Sequence, residues 1–194
     1  VLSEEETPGK FNAKHIQLQN IIANISLKAL SKDSVNLGIK RLSLDEKMSG
    51  FSLKKMSLKL VANNKQTSID NFAIELPETS LKMDTIHLVY DSLQAFEHFA
   101  EEVHFSFRTL PSQITLKDIS PFVPVLSHFK EPITLDMQVK GTVDQLTCSH
   151  LEITADDRQF RLSGDVSLQE LSSPQDAYVY GKLSELSANN RGVG

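Results

Sequence analysis

The 194-residue chain has no tryptophan and a single cysteine, Cys148. One cysteine excludes an internal disulfide framework and provides none of the spacings of a zinc site. It does not assign a compartment, because a cytosolic protein and a disulfide-free protein of a cell envelope look alike in this respect. The length and a hydrophobic content of 40% allow one large all-β domain or two small ones.

Long apolar runs and clusters of basic charge are also missing. No stretch reaches the roughly 18 apolar residues of a membrane-spanning helix, and the opening VLSEEETPGK is too acidic and polar for a signal peptide. The final ANNRGVG is equally abrupt, so we expect a fragment or processed chain whose lack of an anchor says little about the parent protein. The net charge is −5 and the 20 basic residues are scattered, which argues against nucleic acid as a partner.

Catalytic signatures are absent too. The sequence contains no phosphate-binding glycine loop, nucleophile elbow, HExxH motif or EF-hand loop. Its six histidines include no helical i, i+4 pair, and His98 with His104, which flank a turn, are too few ligands for zinc. The adjacent acids Glu101–Glu102 and Asp156–Asp157 would point to opposite faces of a strand. We therefore predict a non-enzymatic protein without a metal or a cofactor.

The sequence does contain a repeated alternation of apolar and polar residues. The stretches FSLKKMSLKL, TSIDNFAIEL and LKMDTIHLVY share one pattern, which returns less regularly from Ile16 to about Leu186. A period of two places the apolar side chains on one face of a β-strand. An extra polar residue in each stretch shifts the phase and requires a bulge, a corner or a turn. These shifts fall at Lys54–Lys55, Asp70–Asn71 and Asp84–Thr85, with another at Lys40–Arg41.

Turn signals separate the expected strands. Asn63–Asn64 suits a tight turn because asparagine tolerates positive φ, and Pro77–Glu78 begins another. Both turns would join antiparallel neighbours. Residues 155–159 are expected at the tip of a later hairpin. Gly164, inside an apolar run, indicates a bulge.

Two short helices are expected to interrupt the strands. Asp91–Ser92 could cap the first, over residues 93–100. The second is predicted over residues 118–131, with Ser120 as its N-cap and Pro121 at its first helical position. On general grounds such a helix is a lid packed over one end of a β core. Its apolar stripe consists of Phe122, Val125, Leu126 and Phe129.

Together these features predict a single continuous, mainly β domain. Each strand presents a set of aliphatic side chains that another sheet, the same sheet or a ligand must cover. Periodicity alone favours two packed sheets with a filled interior over a partly open sheet with an apolar trough. The predicted segments are a polar lead-in at 1–10, a first repeating β segment at 11–117, the short helix at 118–131, a second β segment at 132–187 and a polar tail at 188–194.

Several stretches also show a family resemblance. The block ISPFVPVLSHFKEPITLDMQVKGTVDQLTCSHLEI resembles the AsmA-like superfamily, and within it the TamB-like translocation and assembly modules of Gram-negative envelopes. GFSLKKMSLKL, FAIELPETSLKM, RLSGDVSLQEL and AYVYGKLSEL resemble the repeating β units of that family. The resemblance covers about residues 11–186 and depends on leucine spacing, glycines and a Leu-Pro turn.

The resemblance implies an elongated antiparallel sheet folded into a β-taco, whose apolar groove passes phospholipid acyl chains between the inner and outer membranes. This role would support outer-membrane biogenesis and protein secretion. The chain would be an internal periplasmic segment of a parent protein anchored in the inner membrane. A TamA-like outer-membrane barrel would be engaged through regions outside it. The clearest alternating face supplies the candidate groove residues, which are Leu58, Leu60, Ile74, Leu76, Leu88 and Tyr90.

Two other functions fit the same pattern. A scaffold or chaperone-like module could pair its strand edges with an unfolded outer-membrane strand by β-augmentation. An extracellular β-sandwich binding module would have a filled core and no apolar trough.

Overall fold

The structure is a computed structural model that describes residues 9, 11–12, 15–122, 124–128, 130–155, 160–170 and 178–188. The chain is mostly β, as predicted, and all twelve described strands belong to one antiparallel sheet. The strands are β1 (Leu18–Leu30), β2 (Ser34–Glu46), β3 (Ser52–Asn63), β4 (Gln66–Glu75), β5 (Ser80–Lys82), β6 (Ile86–Val89), β7 (His104–Arg108), β8 (Ser112–Thr115), β9 (Pro132–Gly141), β10 (Gln145–Ala155), β11 (Phe160–Gln169) and β12 (Tyr178–Ala188).

The strands cross the sheet in chain order, as a meander. β4 pairs with β5 through residues 73–75 and with β6 through residues 66–69. β9 likewise pairs with β8 through residues 132–135 and with β7 through residues 138–141. β5 with β6, and β7 with β8, are therefore the halves of two interrupted strands, so the sheet has ten strand positions. The described strands form this one sheet, not the two packed sheets that periodicity alone favoured.

Each predicted phase shift coincides with an irregularity in strand pairing. The register between β2 and β3 shifts beside Lys40–Arg41 and again beside Lys54–Lys55. The register between β3 and β4 shifts beside Asp70–Asn71, where Asn71 has a left-handed φ of 54°. Asp84–Thr85 separates β5 from β6. The first three shifts are therefore bulges within long strands, and only the last interrupts a strand.

Irregularities also occur in the later strands, at about the same height along the strand direction, so they form a line across the sheet. Beyond Asn71 they include the isolated bridge between Met83 and Thr109, the left-handed His150 in β10, and the shift at Gly164 in β11. A bulge bends its strand and increases the local twist. We call this line the crease, and its presence in successive strands is consistent with a sheet curved into a groove.

The predicted turns are present, but the first uses a different device from the one expected. Asn63 ends β3 and its side-chain Oδ1 accepts hydrogen bonds from the backbone N–H groups of Lys65 (2.8 Å) and Gln66 (2.9 Å). Left-handed asparagines occur inside strands of the described chain instead. The side-chain acceptor closes the turn without positive φ.

The other two turn predictions concern Pro77–Glu78 and the hairpin tip. The Pro77–Glu78 turn is closed by the hydrogen bond from Leu76 N to Thr79 O, at 2.9 Å. Of the hairpin tip, residues 156–159 lie outside the described part of the chain. The strands on either side of them pair directly, as a hairpin requires.

The first predicted helix is a short helical segment at one end of the sheet. A 3-10 helix, Leu93–His98, continues directly into α1 (Phe99–Glu102). Ser92 is the N-cap residue, but its side chain makes no capping hydrogen bond. Ala95 is buried against Tyr90, and this contact holds the segment to the sheet.

The continuous helix predicted over residues 118–131 is wrong. Two 3-10 helices, Leu116–Ile119 and Pro124–His128, replace it, and Ser120 is the C-cap of the first instead of an N-cap. If Pro121 were the first helical residue, Pro124 would be the fourth, the first position whose N–H must donate to the N-cap carbonyl. Proline has no N–H, so this hydrogen bond is lost and an α-helix in that register is disfavoured.

Fully buried apolar side chains are few. A compact cluster of Tyr90, Ala95 and Val103 lies at one end of the sheet, with Leu88 packed against it. Most other apolar side chains of the inner strands are only half-buried. Within the described residues the buried apolar set is Leu53, Tyr90, Ala95, Val103, Leu135, Val139 and Cys148.

Candidate functional site: an apolar sheet face

One face of the sheet presents apolar side chains from edge to edge. Directly paired residues of neighbouring strands point to the same face, so the register traces rows across the sheet. Only Thr67 and Gly141 interrupt the longest of these, which we call the long row. The long row is Leu30, Val35, Ala62, Thr67, Leu88, Phe105, Gly141, Leu146, Leu168 and Val179.

Further rows extend this surface, which we call the apolar face, toward and beyond the crease. β3 connects them, because Met56, Leu58 and Leu60 alternate along one strand. The row beside the long row contains Leu27, Leu37, Leu60, Ile69 and Ile86, then Phe107, Val139, Cys148, Val166 and Gly181. Beyond the crease the face continues with Ala23, Leu42, Met56, Ile74 and Leu81, then Leu135, Ile153, Leu162 and Leu186.

The apolar face is accessible, increasingly so toward the edges of the sheet. Its side chains on inner strands are mostly half-buried, whereas Leu30 on β1 is 67% exposed and Val179 on β12 is 69% exposed. The opposite face bears polar residues such as Asn36, Ser68 and Lys140, which occupy neighbouring positions in the same strands. The sheet is therefore amphipathic across its whole width.

The register brings four of the six candidate groove residues onto the apolar face. Leu58 and Leu60 lie there in β3, Ile74 pairs with Met56, and Leu88 belongs to the long row. All four are half-buried, so a ligand could contact them. Leu76 lies beyond the end of β4, in the turn before β5.

Tyr90, the sixth candidate, is a packing residue with only 4% of its surface exposed. Its hydroxyl donates a hydrogen bond to Asn63 O (2.7 Å) and lies 2.9 Å from the Thr67 hydroxyl. Its ring contacts Phe96 edge-on, at a centroid distance of 4.8 Å. Tyr90 therefore ties the β3–β4 turn to the first helical segment.

A cavity of about 420 Å³ lies beside this segment but does not continue the apolar face. Its lining mixes Val89, Tyr90 and Ala95 with the charged or titratable side chains of Asp91, Glu102 and His104.

Sequence reasoning missed the part of the apolar face contributed by the second half of the chain. Leu135 and Val139 in β9 and Cys148 in β10 are among its most buried residues. Alternation in residues 133–139 was sufficient to predict a strand with one apolar face. Only the strand order shows that this face is the one that contains Leu60.

A buried carboxylate connects the segment before β1 to the β2–β3 turn. Glu46 is 3% exposed and accepts hydrogen bonds from Ser49 Oγ (2.5 Å), Ser49 N (2.6 Å), Gln17 N (3.0 Å) and Met48 N (3.2 Å). These bonds, those from Ser49 foremost, lower the pKa of Glu46 from its ordinary 4.5 to about 2. In the neighbouring Asp45, hydrogen bonds from Asn20 and Ser52 also lower the pKa.

Three aromatic rings meet at the same end of the sheet, and we call them the rim cluster. Phe122 contacts Phe11 at a centroid distance of 4.8 Å and Phe51 at 5.1 Å. Phe11 N also donates to Pro121 O at 2.8 Å. The rim cluster joins the 116–128 segment to the β2–β3 turn, in the manner of the predicted lid. Of the predicted stripe, Leu126 is half-buried, and Phe129 and the Val125 side chain lie outside the described part.

The polar face bears surface ion pairs. Arg108 contacts Asp136 at 3.3 Å, and Arg161 contacts Glu152 at 2.9 Å and Glu185 at 3.9 Å. These side chains are about one-third to two-thirds exposed, so each pair contributes little to stability. They mark this face as solvated.

The chemistry of a metal or thiol site is not found in the described residues. No group of three or more potential metal ligands occurs there. Burial, with a smaller effect of the Asp165 carboxylate, raises the pKa of the Cys148 thiol. Among the described helices, none has the length and apolarity needed to cross a membrane.

In comparisons with known proteins, no family model, no curated protein and no solved structure matches this chain.

Proposed function

We propose that the apolar face is a groove for phospholipid acyl chains. The chain would be a non-enzymatic, periplasmic segment of a TamB-like protein of the AsmA-like superfamily, passing lipid between the inner and outer membranes. The observation that supports this proposal best is the long row, which crosses ten strand positions on a face that no separate described sheet covers. The resemblance of residues 11–186 to that superfamily supports the envelope setting.

The partners follow from the same proposal. The parent protein is anchored in the inner membrane, and a TamA-like outer-membrane barrel is engaged by regions outside this chain. Within the chain the ligand is the acyl chain, because the accessible surface that spans the sheet is hydrocarbon.

Moving a lipid through water costs free energy, and an apolar groove would lower that cost. An acyl chain exposes about sixteen methylenes at roughly 0.8 kcal/mol each, or about 13 kcal/mol. An apolar face removes most of that cost. Because groove and bilayer are both apolar, an acyl chain is held only weakly in either and can slide, whereas a single-site carrier would need a closed pocket.

Organic extraction and mass spectrometry of the purified chain test the proposal. A soluble β-sandwich prepared from the same cells is the control for adventitious lipid. We expect phospholipid well above that control. Lipid at the control level would contradict the proposal for this segment.

Paired substitutions locate the binding surface. Leu27 is 57% exposed in the row that contains Leu60, so Leu27→Asp should lower bound lipid without unfolding the sheet. Ala29→Asp places the same charge on the opposite face of the same exposed strand and should leave lipid unchanged. Equal loss of lipid in both variants would show that the apolar face is not the site.

The same comparison can be made at the centre of the face. Ile74→Asp should reduce lipid with far-UV circular dichroism retained, and Ala73→Asp is its matched control on the polar face. Wholesale unfolding of Ile74→Asp would indicate a filled core in place of a groove.

A further inference from the structure

Charges of opposite sign are segregated between two parts of the sheet. Residues 15–65, which include β1, β2 and β3, contain nine basic and only three acidic residues. Residues 66–188 contain eight basic and nineteen acidic residues. The basic residues are scattered along the sequence, but antiparallel pairing brings those of β2 and β3 side by side. One part of an acidic chain therefore has a positive surface.

Two adjacent bulges concentrate this positive charge. The register places Lys40–Arg41 of β2 opposite the single residue Ser57 of β3, and Lys54–Lys55 of β3 opposite the single residue Ser43 of β2. Because the residues on either side of each pair point to the apolar face, both pairs lie on the opposite, polar face. The two bulges therefore place four cations next to each other on neighbouring strands, which are about 4.8 Å apart.

A fifth cation extends the group. Lys59 lies in β3 between Leu58 and Leu60 of the apolar face, so it also points to the polar face. All five side chains except that of Lys55 are exposed. We call this group the basic surface, which consists of Lys40, Arg41, Lys54, Lys55 and Lys59.

The carboxylates of β4 do not neutralise the basic surface. Glu75 lies opposite Lys55, and Asp70 lies opposite Lys59. Neither couple is close enough for an ion pair, and the ion pairs among the described residues all lie farther along the chain, from Glu78 onward. The basic surface therefore keeps its charge available for a ligand.

The two acids of β2 are bound by other residues. Glu46 is buried and accepts the four hydrogen bonds given above. Asp45 accepts hydrogen bonds from Asn20 and Ser52, and Lys54 stabilises its carboxylate more weakly. At most one charge of the basic surface is thus offset within β2.

The surroundings of the basic surface favour a layer of phosphate groups over other polyanions. Single-stranded nucleic acid would need aromatic rings on which its bases stack, and β2 and β3 contain none. A protein partner would need buried apolar anchors, and Val61 is the single large apolar side chain on the polar face of these two strands. Side chains of one sheet face project in one direction, so all five cations can meet a plane of phosphates together.

We propose that the basic surface docks on membranes that contain anionic phospholipids, with the headgroup phosphates as its ligands. Arginine binds a phosphate through two parallel hydrogen bonds and lysine binds it as a point charge. Clustered basic residues are attracted to anionic lipid in this way. The apolar face lies on the other side of the sheet, so docking leaves it open. The docking goes beyond the proposed function and applies equally to an internal segment of a longer protein.

Vesicle flotation tests the docking with the unmodified chain. Vesicles of phosphatidylcholine with phosphatidylglycerol are compared with vesicles of phosphatidylcholine alone. The net charge of −5 repels the chain as a whole from anionic vesicles, so binding to them requires a local positive surface. We expect binding to the anionic vesicles only, and release at high salt, where charges are screened. Equal binding to both kinds of vesicle, or none to the anionic ones, would overturn the proposal.

Paired double variants locate the docking surface. Arg41→Gln with Lys54→Gln removes one exposed cation from each bulge, and binding should weaken roughly 25-fold, at about fivefold per charge. Lys140→Gln with Lys182→Gln removes two exposed cations from the polar face of β9 and β12, and this control should bind like the unmodified chain. An equal loss in both double variants would show that overall charge determines binding and would refute a local surface.

A conservative pair separates charge from damage to the bulges. Arg41→Lys with Lys54→Arg keeps both charges and should retain binding to the anionic vesicles, whereas its loss would contradict recognition by charge. Tighter binding of an oligonucleotide or an acidic peptide than of the vesicles would identify a soluble polyanion and overturn membrane docking. The result is independent of the lipid extraction, because docking uses headgroups at the polar face and the groove uses acyl chains at the apolar face.

Discussion

At the scale of single residues, Glu46 links folding to pH. Its folded pKa lies below the ordinary value of 4.5, at about 2, so the carboxylate binds protons less readily in the folded chain than in the unfolded one. Its contribution to stability is therefore fully present above about pH 4.5 and is lost as the pH falls toward 2.

We expect Glu46→Gln to lower the urea midpoint at neutral pH, because the amide cannot accept all four hydrogen bonds. The difference from the unmodified chain should shrink as the pH approaches 2, since the unmodified carboxylate is then protonated too. Glu75→Gln, at an exposed side chain with no hydrogen bond to described residues, is the control. A difference that stays constant with pH would contradict this role.

Gly164 lies in the crease, where the neighbouring strand β12 leaves no room for a side chain. A Cβ at this position would collide with Lys182 O and lie 3.0 Å from Leu183 Cα. Gly164→Ala should therefore lower the free energy of unfolding by about 1–3 kcal/mol. At Gly181, in the partner strand, the nearest atoms to an added Cβ are 3.8 and 3.9 Å away, so Gly181→Ala should be tolerated. Urea denaturation of both variants would decide this, and equal midpoints would count against the steric argument.

At the scale of elements, the first helical segment is held to the sheet by a very small contact surface. Val103, which follows α1, has no exposed surface, and it packs with Tyr90 and Ala95. Helices this short have little stability of their own, so tertiary packing maintains them.

Val103→Ala should destabilise the segment by about 2 kcal/mol and increase its proteolysis. Limited proteolysis with mass mapping would show cleavage within residues 93–102 before the rest of the sheet is cut. Val143→Ala, at a residue 36% exposed in the β9–β10 turn, should have no such effect. Uniform cleavage across the sheet would indicate that the segment does not unfold separately.

At the scale of the whole molecule, an accessible apolar face distinguishes this sheet from a filled sandwich. We expect the delipidated, folded chain to bind an environment-sensitive fluorescent probe of apolar surface, and free fatty acid to displace it. Titration at increasing ionic strength should leave this binding intact, because it depends on hydrocarbon contact instead of charge. Fluorescence no higher than that of a compact β-sandwich would contradict an open face.

Much of the fold was predictable because strand alternation and turn chemistry are local. The shifts at Lys40–Arg41 and Asp70–Asn71 are visible as extra polar residues, and the structure has bulges there. The helix predicted over residues 118–131 is wrong for a local reason as well, because Pro124 lacks the donor for the first intrahelical hydrogen bond, which disfavours an α-helix there.

The candidate groove was predictable only in part. Side chains alternate between the two faces along each strand, so the register between strands determines which of them share a face. In β3, β4 and β6 it places four of the candidates on one face: Leu58, Leu60, Ile74 and Leu88. Tyr90 has the same spacing, yet it is buried by Ala95 and Val103, which lie in a different element. Burial of this kind depends on packing between elements that are distant in sequence, so the periodicity of a strand does not predict it.

By itself the sequence determined that the chain forms amphipathic strands, where those strands bend and which residues share a strand face. The tertiary structure alone decided that all the described strands join one sheet, that the apolar face continues beyond the crease, and that β1 and β12 each pair with a single described strand. The physical reason is that side-chain alternation is a property of consecutive residues, whereas pairing order and edge exposure depend on hydrogen bonds between strands far apart in the chain.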